Sequence, residues 1–268
     1  MQTTTRRTKI VATLGPATDS IEKLEALLLA GVNVVRLNFS HGSAEDHNQR
    51  ATNVRSLSKK HGLNIAILAD LQGPKIRVGR FKESCVTLKT GDTFTLDAEL
   101  NTNDGDQSIV GIDYKQLPSD CHPSDLLMLD DGRLSLRVNS IEGSRIHCTV
   151  EDGGILKNNK GINRQGGGLS APALTEKDIK DIAIAAELDV DYVAVSFPKT
   201  AADIQQAKSL LEGNNSKARI VAKIERAEAA LNRDNLDAII NASDAVMVAR
   251  GDLGVEIGDA ELVGVQKH

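Results

Sequence analysis

Lys223 and Glu225 stand two residues apart at the end of an apolar run, Arg219-Ile-Val-Ala-Lys223-Ile-Glu225. Asp252 closes the next such run, Asp244-Ala-Val-Met-Val-Ala-Arg250-Gly251-Asp252. A strand alternates faces with period two, so Lys223 and Glu225 are expected to point the same way. The following βα unit then brings Asp252 alongside, at the C-terminal ends of neighbouring parallel strands. A barrel of parallel strands builds its active site at that end. Two carboxylates suit a hard divalent cation with oxygen ligands, such as Mg²⁺. A lysine beside them offers positive charge to an anionic substrate, often a phosphate.

Earlier runs end in the same manner. In Val34-Val-Arg36-Leu-Asn38-Phe-Ser40-His41-Gly42, the alternation is expected to place Arg36, Asn38 and Ser40 on one face. Three polar groups facing into a barrel are costly unless they bind something; the plain alternative is a strand running out into solvent. His41, at a strand end beside Gly42, could contact a nucleotide or cap the loop. Leu68-Ala-Asp70-Leu-Gln-Gly73-Pro-Lys75-Ile-Arg77 puts Asp70 where strand ends converge, and Gly73-Pro74 turns the chain away. Lys75 and Arg77 share spacing and face, or form only a solvated basic hinge. Asn158 to Gly168, with Gly166-Gly-Gly168, reads as a flexible linker whose Gly and Lys spacing excludes a Walker A loop. Arg250-Gly251-Asp252-Leu-Gly254 can open a short helix whose amides hold a carboxylate or phosphate. An integrin-type reading of that tripeptide does not suit the composition.

The elements that must position these residues repeat. Strands are expected over Lys9–Leu14, Asn33–Phe39, Asn64–Leu71, Asp191–Phe197, Arg219–Glu225 and Ala245–Val248. Ser20–Ala30 is helical, with Ser20 or Asp19 as N-cap and Gly31 as stop. Thr175-Glu-Lys-Asp178 opens another helix with capping-box spacing, continued by Ile179, Ile182, Ala183 and Ala186. Strand starts recur at roughly the 25 to 30 residues of a βα unit. The rhythm breaks from about Val78 to Leu156, where short alternating strands lie between Gly- and Asp-rich turns. The expected fold is therefore α/β, a (β/α)₈ TIM-type barrel with six of its eight strands present and an inserted all-β lid domain. The domains are 1–73, barrel, first part; 74–169, insert; and 170–268, barrel, second part. The insert leaves from the active-site face, where a lid belongs. After six strands the chain stops inside an apparent helix, so a fragment is expected rather than an open fold, poorly stable because of its two exposed sheet edges.

Composition narrows the class. The chain has 268 residues, 40% hydrophobic and only 2% aromatic, so its core must be Val, Ile, Leu and Ala. That suits buried parallel strands. A formal charge of −5 argues against nucleic-acid and anionic-membrane partners. No run approaches the about 18 apolar residues of a transmembrane helix. Met-Gln-Thr-Thr-Thr-Arg-Arg-Thr lacks a signal peptide's apolar stretch. Three widely spaced cysteines, Cys85, Cys121 and Cys148, fit neither a disulfide framework nor a zinc site, and a cytoplasmic location follows.

Lys9-Ile-Val-Ala-Thr-Leu-Gly-Pro16, Arg36-Leu-Asn-Phe-Ser-His-Gly42, Ala171-Pro-Ala-Leu-Thr-Glu-Lys-Asp178, Val195-Ser-Phe197, Ala222-Lys-Ile-Glu225 and Met247-Val-Ala-Arg-Gly-Asp-Leu-Gly-Val-Glu256 closely resemble the pyruvate kinase family, in its bacterial form, over essentially the whole chain. The resemblance implies phosphoryl transfer from phosphoenolpyruvate to ADP, giving pyruvate and ATP in glycolysis. It implies Mg²⁺ or Mn²⁺ on Glu225 and Asp252, and Lys223 on the transferring phosphoryl group and the enolate. Arg36 matches the arginine on the phosphate, and the amides of Gly251 and Asp252 would hold the substrate carboxylate. Asn38, Ser40, Asp70 and the Leu71 carbonyl match a monovalent-cation site; His41, Arg77 and Lys160 match nucleotide contacts. The whole protein is expected to be a homotetramer.

The chain departs from the family in lacking the last two strands and the C-terminal domain. It also has Lys75 where Glu is common and Leu71 where Thr is. Lys75 is expected to substitute for K⁺, making that ion dispensable. Two other readings stay open: a catalytically incompetent truncated barrel that serves as a binding or assembly fragment, and another metal-dependent barrel acting on an enolate or phosphoenolpyruvate.

Overall fold

A computed structural model describes residues 6–268. Part of the N-terminal stretch read above for a leader, residues 1–5, lies outside the described residues. The chain divides into two compact units. The first comprises Met1–Gly73, Ala173–Lys223 and Ala238–Met247, and the second Pro74–Pro172, Ile224–Asp237 and Val248–His268.

In chain order the elements begin β1 (Val11–Thr13), α1 (Ile21–Leu29), β2 (Val34–Asn38), α2 (Ala44–His61) and β3 (Ala66–Asp70). There follow β4 (Cys85–Leu88), β5 (Thr93–Asp97), β6 (Ile109–Gly111), α3 (Leu117–Asp120), β7 (Leu126–Leu129), β8 (Leu134–Glu142), β9 (Arg145–Asp152), β10 (Gly154–Lys157) and β11 (Ile162–Arg164). The chain then returns to alternation with α4 (Glu176–Glu187), β12 (Tyr192–Val195), α5 (Ala201–Gly213), β13 (Arg219–Ile224), α6 (Ala227–Ala230), α7 (Arg233–Ala242), β14 (Ala245–Val248), α8 (Arg250–Ile257) and α9 (Asp259–Lys267).

All six expected barrel strands form, most of them shorter than the apolar runs that contain them. They make one sheet in the order β1-β2-β3-β12-β13-β14, and the registers among β1, β2, β3, β12 and β13 are parallel. One reason for the shortening is visible at β2. The Ser40 amide bonds back to Asn38 Oδ1 at 3.1 Å, and the His41 amide to the Asn38 carbonyl. This side-chain turn ends the strand at Asn38. Ser40 therefore lies in a turn and not on the strand face with Arg36 and Asn38, a correction to the reading from alternation.

Period two builds a layer on one face of this sheet. Leu68, Ala194 and Val221, from three adjacent strands, form a buried cluster flanked by Val34, Tyr192 and Met247. Two residues further along each strand the same face becomes polar: Arg36, Asp70, Ser196 and Lys223. The helices begin as their sequences demand. Ser20 accepts from the Lys23 amide, and Thr175 and Asp178 exchange bonds in a capping box.

In the second unit β4 pairs with β10, and six strands form a sheet in the order β11-β7-β8-β9-β5-β6. Its core holds Phe94, Leu96, Leu127, Leu129, Leu136 and Ile146, each exposed by 1% or less. Cys121 and Cys148 are buried in the same core, and Cys85 is exposed on β4. Burial pushes both buried thiols up to about 12. Among the described residues no helix is long and apolar enough to cross a membrane.

Candidate active site

Asp70 ends β3 with 1% exposure, and a carboxylate buried so deeply needs partners. It has two. Arg36 Nε, from β2, approaches Oδ2 at 2.5 Å, and Lys223 Nζ, from β13, stands 3.3 Å from Oδ1. The β2–β3 register pairs Asn38 with Asp70 and Arg36 with Leu68. Arg36 thus lies two residue pairs below the carboxylate, on the same face, and reaches it lengthwise along the strand. Its Nη1 also donates to Thr13 Oγ1 at 3.0 Å, anchoring it to β1.

Ser196, just past β12, joins the cluster. Lys223 Nζ donates to Ser196 Oγ at 2.7 Å. The hydroxyl has one proton and two acceptors nearby, the Leu71 carbonyl at 2.7 Å and Asp70 Oδ1 at 3.4 Å. The shorter contact takes it. Sequence reasoning found Arg36, Asp70 and Lys223 but gave Ser196 and Thr13 no site role. The signal was present in part, because Val195-Ser-Phe197 ends an apolar strand. Phe197 has φ of 54°, a left-handed conformation that a bulky residue rarely adopts. Such outliers gather where surrounding structure imposes them.

The first turn of α4 fixes two strand ends. Asp178, fully buried, caps its own helix through Oδ2 and accepts the Gly73 amide through Oδ1 at 3.0 Å. Lys177 Nζ donates to the Phe39 carbonyl at 2.8 Å and pairs with Asp181 at 2.5 Å.

The second unit carries most of the remaining expected residues. Lys75 is about two-thirds buried, and its Nζ lies 3.7 Å from Asp252 Oδ1. Lys75 is therefore not the solvated hinge residue of the plain reading. Asp252 and Gly251 lie in the first turn of α8, whose amides face outward from the helix start. Glu225 is 1% exposed, one residue beyond β13. Arg77 Nη1 donates to the Asn159 carbonyl at 3.0 Å, and Lys160 Nζ pairs with Asp130 at 2.6 Å. His41, in the first unit, is exposed in the turn after β2.

One group of this unit had no signal in the sequence. Glu256 on α8 is 5% exposed, and its carboxylate accepts the Ala227 amide at 2.8 Å and Asn163 Nδ2 at 3.4 Å. Burial pushes it up to about 7, against the pull of those bonds and of Arg226.

Among the described residues no group of three or more His, Cys, Asp or Glu could hold a metal. Glu225 and Asp252 are two carboxylates. Their oxygen donors suit Mg²⁺, which fills much of its coordination shell with water and substrate oxygens. Of the expected monovalent-cation residues, Asn38 Oδ1 accepts the Ser40 amide, Asp70 holds Arg36 and Lys223, and the Leu71 carbonyl takes Ser196. Each acceptor already has a donor within the chain.

Comparison with known proteins places the chain in a family. A family model described as pyruvate kinase, barrel domain, matches residues 5–268. The chain is 59% identical over 262 residues to pyruvate kinase II of Salmonella typhimurium, covering 98% of this chain and 55% of that protein. It is 58% identical over 262 residues to the pyruvate kinases of Buchnera aphidicola subsp. Schizaphis graminum and Haemophilus influenzae, again across 98% of this chain and 54% and 55% of theirs. The chain thus spans about half the length of the curated relatives it matches.

Proposed function

Because this chain belongs to the pyruvate kinase barrel-domain family, we propose that the polypeptide carrying it transfers the phosphoryl group of phosphoenolpyruvate to ADP, giving pyruvate and ATP. The observation that carries the reading is the sharing of one buried carboxylate, Asp70, by Arg36 and Lys223. Two cations from different strands are thereby fixed before any substrate arrives. Phosphoryl transfer asks little of a protein beyond positioning and charge stabilisation. Arg36 grips the phosphate, and Lys223 follows the transferring group and the developing enolate oxygen. The amides of Gly251 and Asp252 hold the substrate carboxylate at the start of α8. Glu225 and Asp252 would hold Mg²⁺ or Mn²⁺, which when bound would supply further neutralisation of negative charge. His41, Arg77 and Lys160 contact the nucleotide.

The 74–169 insert acts as a lid on this chemistry within the barrel domain. The whole enzyme is a cytoplasmic homotetramer. Lys75 supplies the positive charge that K⁺ gives elsewhere in the family, and its pairing with Asp252 supports that role.

The test is pyruvate formation from phosphoenolpyruvate, ADP and Mg²⁺ by the wild-type, Arg36→Met and Lys223→Met proteins. Loss of turnover in both variants is expected; retention in either removes that residue from the mechanism. A second reading takes the chain as a binding fragment without turnover. That reading requires phosphoenolpyruvate binding by calorimetry with no pyruvate formed.

A further inference from the structure

Phe39 sits between Asn38 and Ser40, in the turn that ends β2, and is 3% exposed. Three separate groups hold it. Its amide donates to the Asp70 carbonyl at 2.9 Å. Its carbonyl accepts Lys177 Nζ at 2.8 Å. Its ring is stacked on the imidazole of His47, with centroids 4.2 Å apart and planes inclined by 3°. His47 comes from the second turn of α2 and is also 3% exposed.

A histidine is an odd choice for a purely space-filling role here. Its Nδ1 is buried with no hydrogen-bond partner, a burden a leucine or phenylalanine would not carry. The flat ring lies face to face on Phe39, an arrangement open only to a planar group. Its Cε1 also packs against the turn after β2, 3.6 Å from where a β-carbon on Gly42 would stand. Burial and then Arg50 hold the imidazole below its ordinary pKa, outweighing the pull of the His41 backbone, Asp181 and Asp46. Asp181 is itself engaged by Lys177, and Arg50 by Asp19.

We propose that His47 is a positioning residue, a strut from α2 that fixes Phe39 and the His41 turn and so sets where Arg36, Asn38 and Ser40 present their side chains. The Arg36 guanidinium must meet Asp70 at 2.5 Å, and the backbone that carries it runs straight into this clamp. A shift of about 1 Å at a substrate-gripping group is enough to cost on the order of 10² in rate. The consequence for turnover rests on the phosphoryl-transfer reading; the positioning itself does not.

The amides of Phe39, Ser40 and His41 are all bonded, to the Asp70 carbonyl, Asn38 Oδ1 and the Asn38 carbonyl, and they report on the strut directly. Hydrogen–deuterium exchange is followed in the 268-residue chain as wild type, His47→Gln, Phe39→Leu and the double variant. Each single variant is expected to speed exchange at these three amides by about tenfold, with β12 and β13 unchanged. The double variant should exchange no faster than the faster single one, because both remove the same stack. Where wild type turns over, His47→Gln should raise KM for phosphoenolpyruvate more than it lowers kcat. Three results overturn the strut: unaltered exchange at the strand end, a uniform rise across β2, β3, β12 and β13, or effects that multiply in the double variant. Wild type without turnover but with the expected exchange pattern supports the strut and counts against the functional reading alone.

Discussion

Gly73 and Ser196 are packed so closely that a β-carbon on Gly73 would lie 2.8 Å from the β-carbon of Ser196 and 3.1 Å from its carbonyl oxygen. Gly73 also has φ of 65°, where a side chain is strained even in open space. Ser196 cannot retreat freely, because it takes Lys223 and gives its proton to Leu71. Gly73→Ala should therefore cost about 1–3 kcal/mol in urea unfolding. A loss below about 0.5 kcal/mol would mean that the strand ends are looser than this contact implies.

Asp70→Asn preserves shape and removes the one charge shared by Arg36 and Lys223. Breaking one partner out of a buried ion cluster typically costs about 3–5 kcal/mol. Arg36 and Lys223 are only 25% and 12% exposed, so neither gains full hydration in exchange. Urea midpoints of the two proteins check this, and unchanged midpoints would contradict it.

Lys223→Met tests whether the ammonium acts mainly during the reaction. Donors aimed at developing charge are worth on the order of 10²–10³ in kcat. The expected outcome is a fall of that size in kcat with a smaller rise in KM. Equal damage to both constants would assign Lys223 to ground-state binding.

Lys75→Glu places a second carboxylate where an ammonium now stands 3.7 Å from Asp252. Like charges so close favour capture of a cation. The wild-type enzyme is expected to turn over in buffer free of Na⁺ and K⁺, and the variant to need K⁺. A wild type that requires K⁺ would show that Lys75 does not stand in for the ion.

Glu256 gives the second unit a defined pH response. Its carboxyl titrates at about 7 in the folded chain against an ordinary 4.5. The folded state thus binds the proton more tightly than the unfolded one. This contribution to stability is fully present below pH 4.5 and is lost as pH rises to about 7. At about 1.4 kcal/mol per unit, the loss is on the order of 3 kcal/mol. Glu256→Gln keeps an acceptor for the Ala227 amide and should abolish the difference between pH 5 and pH 8, measured against wild type by urea titration. A variant that keeps the wild-type slope would place the titration elsewhere.

How much of this was legible depended on where information is local. Strand and helix caps are written in neighbouring residues, so Ser20, Thr175 and the six strands of the first sheet could be read directly. Within the insert, the alternating segments that become β4, β5, β8 and β9 were readable. Leu126-Leu-Met-Leu129 carries no alternation, and β6 and β11 are three residues long, too short for a period to register. Ser40 was misplaced because alternation was extended past a residue, Asn38, whose side chain turns the chain. Ser196, His47 and Glu256 share another difficulty. Ser196 and Glu256 acquire their roles from residues more than about 25 positions away, and His47 from burial and from Phe39 across a turn; none of these leaves a mark in local periodicity.

The three cysteines divide sharply in their chemistry. Only a thiolate attacks an electrophile, and burial pushes Cys121 and Cys148 up to about 12, leaving almost none at neutral pH. Cys85 is exposed on β4. A maleimide dye or spin label added to the native protein therefore lands on one residue of the second unit, without any engineering. The unlabelled pair becomes a built-in gauge of integrity, since additional label taken up over time counts molecules whose β core has opened.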